Sequence, residues 1–99
     1  MTVNVHSVHF EADAKLLEHI DKKIVKLATY HDRIVAVDVF LKLDNVIHQI
    51  KDKIAEIRVQ IPKHELFVKQ STKSFEESFD MALDSMLIQI KKVKEKQLV

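Results

Sequence analysis

The sequence predicts an α+β fold: a two-layer sandwich of order β-α-β-β-β-α, with a four-stranded sheet carrying two parallel helices on one face. Three observations predict it. Four stretches alternate apolar and polar residues with a period of two, while two others keep their apolar residues at steps of three and four. One of the helical stretches lies between the first two strands, and a helix in that position makes a right-handed crossover that leaves the strands parallel. The later strands follow one another through short connections, which makes them antiparallel neighbours. The 99 residues make one domain, 1–99, with a single core and no room for an active site enclosed between two domains.

The first strand runs from Thr2 to Val8, where Val3 and Val5 alternate with Thr2, Asn4 and His6. Asp13 offers an N-cap to the first helix. Its apolar stripe is Leu16, Leu17, Ile20, Ile24, Leu27 and Ala28, with Lys15, Lys22, Lys23 and Lys26 off the stripe, over about four turns. Tyr30 to Arg33 is a polar break. In the long second strand Val35, Val37, Val39, Leu41 and Leu43 alternate with Ala36, Asp38, Phe40 and Lys42. Asp44 to Asp52, polar around Val46, Ile47 and Ile50, reads as a connecting loop. Ala55, Ile57, Val59 and Ile61 alternate with Glu56, Arg58 and Gln60 in a third strand that stops at Pro62. A turn over Pro62 to His64 leads to a shorter fourth strand, Glu65 to Gln70. Ser74 caps the last helix, whose residues Phe75, Phe79, Ala82, Met86, Ile90 and Val93 share one face, widened by Leu83 and Leu87. Glu76, Glu77 and Asp80 stand in its early turns and Lys91, Lys92, Lys94 and Lys96 at its end, so both ends suit the helix dipole.

Composition removes several classes of function. Without cysteine there is no disulfide framework, thiol nucleophile or thiolate metal site, which fits a reducing cytoplasm. Without glycine there is no Gly-rich phosphate loop, and a nucleotide cofactor is not expected. Met1 to Phe10 lacks the long apolar run of a signal peptide or membrane span. His6 and His9 fall on opposite faces of a strand and have no carboxylate in a ligand pattern beside them, so no metal site is expected. Asp80 and Asp84, one helical turn apart, read as solvated side chains, not as an acid–base pair, and nothing resembles a nucleophile elbow. The chain is not expected to be an enzyme or to bind a small-molecule substrate.

Placement of charge is more informative than the net value of +1, which sums 16 basic and 15 acidic residues. Parallel helices bring their carboxyl ends to one end of the domain. Lys22, Lys23 and Lys26 thereby approach Lys91, Lys92, Lys94 and Lys96, with Arg33 in the adjoining turn and Lys63 and His64 closing the same end. Asp13, Glu76, Glu77 and Asp80 are expected at the other. A polyanion could dock on the cationic end. Phe10, Phe67, Phe75, Phe79 and Tyr30 are assigned mostly to core packing, leaving Phe40 as the single ring on the open sheet face. Since stacking on single strands uses two or three rings, the lysines suit the backbone of folded RNA better. The competing reading is a protein-binding or self-associating module that uses the open sheet face.

The run Lys23-Ile24-Val25-Lys26-Leu27-Ala28-Thr29-Tyr30-His31-Asp32-Arg33-Ile34, followed by Val37-Asp38-Val39-Phe40-Leu41-Lys42, resembles the ribosome hibernation promoting factors, also called ribosome-associated inhibitors or sigma-factor modulation proteins. The likeness continues through Ala55-Glu56-Ile57-Arg58-Val59, Phe79-Asp80 and Asp84 to Lys92-Val93-Lys94-Glu95-Lys96. The resemblance implies a domain similar to double-stranded-RNA-binding folds that sits in the decoding channel of the small ribosomal subunit, on rRNA, and silences translation in resting cells. The chain is expected to be a monomer when free. Lys23, Lys26, Arg33, Lys92, Lys94 and Lys96 match basic positions of the family, and Asp80 matches an acidic one. The Gly-containing loop and Asp-x-Tyr opening usual before the last helix are replaced by Ser71-Thr72-Lys73 and Ser74-Phe75-Glu76. Ser85 and Ile88 stand where basic residues are frequent, which implies weaker or redistributed contacts. The chain ends soon after the last helix and so resembles a short form, without the second domain by which long members pair ribosomes.

Overall fold

Each alternating stretch of sequence becomes a strand and each stripe of period 3.6 a helix, and the computed structural model describes them over residues 1–44 and 52–97. The order is β1 (Thr2–Val8), α1 (Ala14–Ile24), α2 (Lys26–Tyr30), β2 (Ala36–Asp44), β3 (Asp52–Ile61), β4 (His64–Thr72) and α3 (Phe75–Gln97). The strands lie in the order β1-β2-β3-β4. β1 is parallel to β2 with Val5 opposite Val39, while β2–β3 and β3–β4 are antiparallel. The core is one layer between sheet and helices. Val37, Val39 and Leu41 of β2 and Ala55, Ile57, Val59 and Ile61 of β3 face Leu16, Ile20, Ile24, Leu27, Phe79, Met86 and Ile90, all buried.

Capping fixes where the helices start. The Leu16 amide donates to Asp13 Oδ1 at 2.8 Å. At α3 the Ser78 amide donates to the Ser74 carbonyl at 2.9 Å, and the Glu77 amide reaches Ser74 Oγ at 3.4 Å. Ser78 is fully buried, and its hydroxyl donates to the carbonyl of Lys53 and lies 2.8 Å from Thr72 Oγ1. One side chain thus ties α3 to the start of β3 and the end of β4. Further along, Gln89 Nε2 donates to the Phe67 carbonyl at 3.5 Å. From Ser78 to Gln89 a helix rises about 16 Å, and from Thr72 back to Phe67 a strand covers about 17 Å. Hence α3 runs along β4, antiparallel to it.

Four expectations from the sequence are corrected. The first helix is broken at Val25, where the Ala28 amide donates to the Val25 carbonyl at 3.1 Å, the tighter i+3 bond of a 3₁₀ turn. This rotation keeps Leu27 in the core and turns Ala28 out to solvent. Val35 is 53% exposed, because it precedes β2 and spends its amide on Gln60 and its carbonyl on Thr2. β3 starts at Asp52, whose partner across the ladder is Asp44, so both belong to strands; Val46, Ile47 and Ile50 lie outside the described residues. β4 extends beyond Glu65 to Gln70 at both ends and is nine residues long, since every residue from His64 to Thr72 finds a partner in β3. In the turn between them Lys63 has φ 69°, the left-handed conformation that follows Pro62 in a type II turn.

Candidate functional site

Three features compete as a site: the helix ends, a shared carboxylate between the helices, and the open face of the sheet. The parallel course of the helices follows from contacts at their amino-terminal halves. Phe10 stacks on Phe75 with centroids 4.8 Å apart, and His19 meets Phe79 edge-on at 6.0 Å. His19 Nε2 lies 2.7 Å from Asp80 Oδ1. From the His19–Asp80 contact α1 and α2 run on to Tyr30 and α3 runs on to Gln97, so the two carboxyl ends lie on the same side of that contact, with α3 reaching further. The α3 end also descends past Phe67 towards His64 and the turn at Lys63. Lys22, Lys26, Arg33, Lys91, Lys92, Lys94 and Lys96 are all exposed, and none pairs with a carboxylate among the described residues. Asp21, Asp32 and Glu95 are the acids interspersed with them.

Lys23 is set apart from this group. Its Nζ donates to Asp80 Oδ1 at 3.0 Å, the same oxygen that His19 meets. Asp80 therefore does not stand with Glu76 and Glu77 at an acidic end as its position in the sequence suggests. It is a clasp between α1 and α3. Burial would raise its carboxyl, but the hydrogen bonds and charges of Lys23 and His19 outweigh that and hold it below the ordinary carboxylate range.

The open sheet face carries more ring surface than the sequence suggests. Phe67 is 45% exposed, because in β4 it alternates with Leu66 and Val68 and shares its side of the sheet with Glu65 and Lys69. That alternation was the available signal; the apolar character of Phe67 masks it. Phe40 stacks on His6 with centroids 4.7 Å apart and planes at 17°. The Arg58 guanidinium sits 5.5 Å from the Phe40 centroid and 5.5 Å from that of Phe67. A hydrogen bond between His6 and Asp38 at 3.2 Å and an ion pair between Lys42 and Glu56 at 3.1 Å flank the rings, the latter nearly buried at its acid. No group of three or more potential metal ligands is present among the described residues, and no helix is long and apolar enough to cross a membrane.

Residues 3–98 match the family described as Sigma 54 modulation protein / S30EA ribosomal protein. The chain belongs to this family. A ribosome hibernation promoting factor of Pseudomonas putida is 27% identical over 97 residues, which span 98% of this chain and 90% of that protein. Among solved structures, the N-terminal domain of Protein Y from Thermus thermophilus superposes with a TM-score of 0.80 at 23% identity, over 94% of this chain and 99% of that one. A ribosomal subunit interface protein from Coxiella burnetii gives 0.78 at 17% identity, over 96% and 99%. The fold is that of these two proteins. Within the S30EA frame, the exposed lysines lie on the helical layer and the ring row on the opposite side of the sheet.

Proposed function

We propose that this S30EA-family chain is a non-enzymatic translation regulator that binds the small ribosomal subunit, occupies its decoding channel and silences resting ribosomes in the cytoplasm. Membership of the family, with a relative named as a hibernation promoting factor, supports the ribosome as partner. The observation that carries the mode of binding is the set of exposed lysines left without acidic partners where α2 and α3 end. Cations free of internal ion pairs are available to phosphates, and they need not break a bond within the protein to bind one. Lys26, Arg33, Lys91, Lys92, Lys94 and Lys96 are the first contacts on this reading, with Lys22 further back on α1, next to the Lys23–Asp80 pair. Lys23 contributes through the field it shares with Asp80. The chain acts as a monomer and needs no cofactor.

Binding to purified small subunits, followed by sedimentation over a range of salt, tests this reading. With about five phosphates neutralised, log affinity falls against log salt with a slope of roughly −3.5 to −4.5. Failure to co-sediment at low salt rejects the ribosome as partner. Binding with a slope near zero keeps the ribosome and rejects the lysine end as its contact.

A further inference from the structure

We infer that the open sheet face is a second nucleic-acid surface, which takes two or three unpaired bases of RNA by stacking, separately from the lysine end. The row crosses all four strands: His6 on β1, Phe40 on β2, Arg58 on β3 and Phe67 on β4. Adjacent strands lie about 4.8 Å apart, so the row offers flat groups at short, regular steps. His6 and Phe67, at its two ends, are about half exposed, and Arg58 between the phenylalanines is exposed too. A guanidinium held over two rings keeps its own plane and its N–H groups for a further partner. Bases stack on aromatic rings and guanidinium planes regardless of sequence, since every base has a π-face.

Charge on this face decides against phosphate as the main contact. Lys42 is matched by Glu56, which leaves Arg58 and Lys69 beside Asp38 and Glu65. A shallow depression lined by Arg58, Glu65 and Phe67 sits at the exposed end of the row, where a planar group can lie on Phe67 and donate to the Glu65 carboxylate. An almost balanced face with a row of stacking surfaces suits bases, whereas the helix ends, where cations outnumber the exposed ring of Tyr30, suit backbone. This surface does not require the ribosome reading to hold.

The test uses the full chain and fluorescein-labelled eight-residue oligoadenylate and oligouridylate, read by fluorescence anisotropy at low salt, with two-dimensional NMR to locate the contact. The expected result is binding with a log–log salt slope shallower than about −2, reflecting at most two phosphates. Shifts should centre on His6, Phe40, Arg58 and Phe67. Phe67→Leu keeps apolar volume but removes the π-face, and should weaken binding about tenfold with an unchanged melting temperature. Phe40→Leu should do the same, and Phe67, being exposed, keeps the test valid if that variant does not fold. Lys15→Glu with Lys73→Glu, which lie on neither surface, should leave oligonucleotide binding within about twofold. The inference is overturned if neither oligonucleotide binds, if Phe67→Leu binds as tightly as the parent, or if the shifts map to the helix ends alone. It is also overturned if concentration-dependent dimerisation, and not RNA binding, is what Phe67→Leu removes, since the face is then an interface between copies.

Discussion

Ser78 and Asp80, two residues apart on α3, show how differently polar groups hold a small domain together. Ser78 is fully buried and donates to the Lys53 carbonyl, so Ser78→Ala leaves that carbonyl without its partner in a dry place. The expected cost is about 1–3 kcal/mol, read as a lower midpoint in urea denaturation. Asp80 is partly exposed, and its clasp with His19 and Lys23 is screened, so its signature is pH dependence and not a large stability term. Its folded carboxyl is held below the ordinary 3.8. A lowered value makes the unfolded chain bind the proton first, so the contribution is present above that ordinary value and is lost as pH falls through the lowered one. Asp80→Asn should flatten the stability profile below about pH 4 relative to the parent, a difference that thermal melts across pH 2–6 would reveal. An unchanged profile would mean that the clasp does not persist in solution.

At the scale of elements, β2 is the strand on which the sandwich depends, since it pairs on both sides and buries Val37, Val39 and Leu41 under the helices. Val39→Asp places an unpaired carboxylate in that layer and should cost roughly 3 kcal/mol or more, enough to abolish a cooperative melt in a domain of this size. A parent-like melt would mean that Val39 does not face the core. Element type was legible in the sequence because a period of two prevails in β1, β2 and β3 and one of 3.6 in α3. Boundaries were less so. Val35 continues the alternation of β2 yet lies outside it, since hydrophobicity cannot tell a strand residue from the one before it. The break at Val25 has no glycine or proline to announce it. Phe67 was misassigned to the core because a large ring reads as buried, although Leu66 and Val68 had already taken the inward positions. The Lys23–Asp80 pair joins residues 57 apart in the chain, a separation at which no local pattern speaks.

For the whole molecule, the two sides of the sheet divide the work. The helical layer presents cations and the open face presents rings, so charge reversal separates them. Lys22→Glu with Lys26→Glu and Lys92→Glu with Lys94→Glu should each reduce the salt slope for small subunits by about 1.5, two phosphates' worth. Lys23 is left out, because its reversal would set two acids against each other at Asp80. Lys15→Glu with Lys73→Glu, at the other end of the helices, is the control and should leave the slope nearly unchanged. The exposed Lys73–Asp52 pair lost with it is worth about 1 kcal/mol or less. A control pair that weakens binding more than either test pair would reject the cationic end as the docking surface.

The parallel edge strand also imposes an order of assembly. β2, β3, β4 and α3 follow one another with neighbours adjacent in sequence, and each can add to the last as it becomes available. β1 is made before β2, yet β2, its only partner among the described residues, lies beyond residues 9–35, across the whole helical crossover. Its ladder therefore closes a long loop and pays that entropy before any contact repays it. Until β2 has been synthesised, Val3, Val5 and Val8 have nothing to pair with, and a strand without Asp, Glu, Lys or Arg has little to discourage pairing with another chain. The amino-terminal strand is thus the segment for which slow elongation is most hazardous, and the last to be secured in the finished sheet.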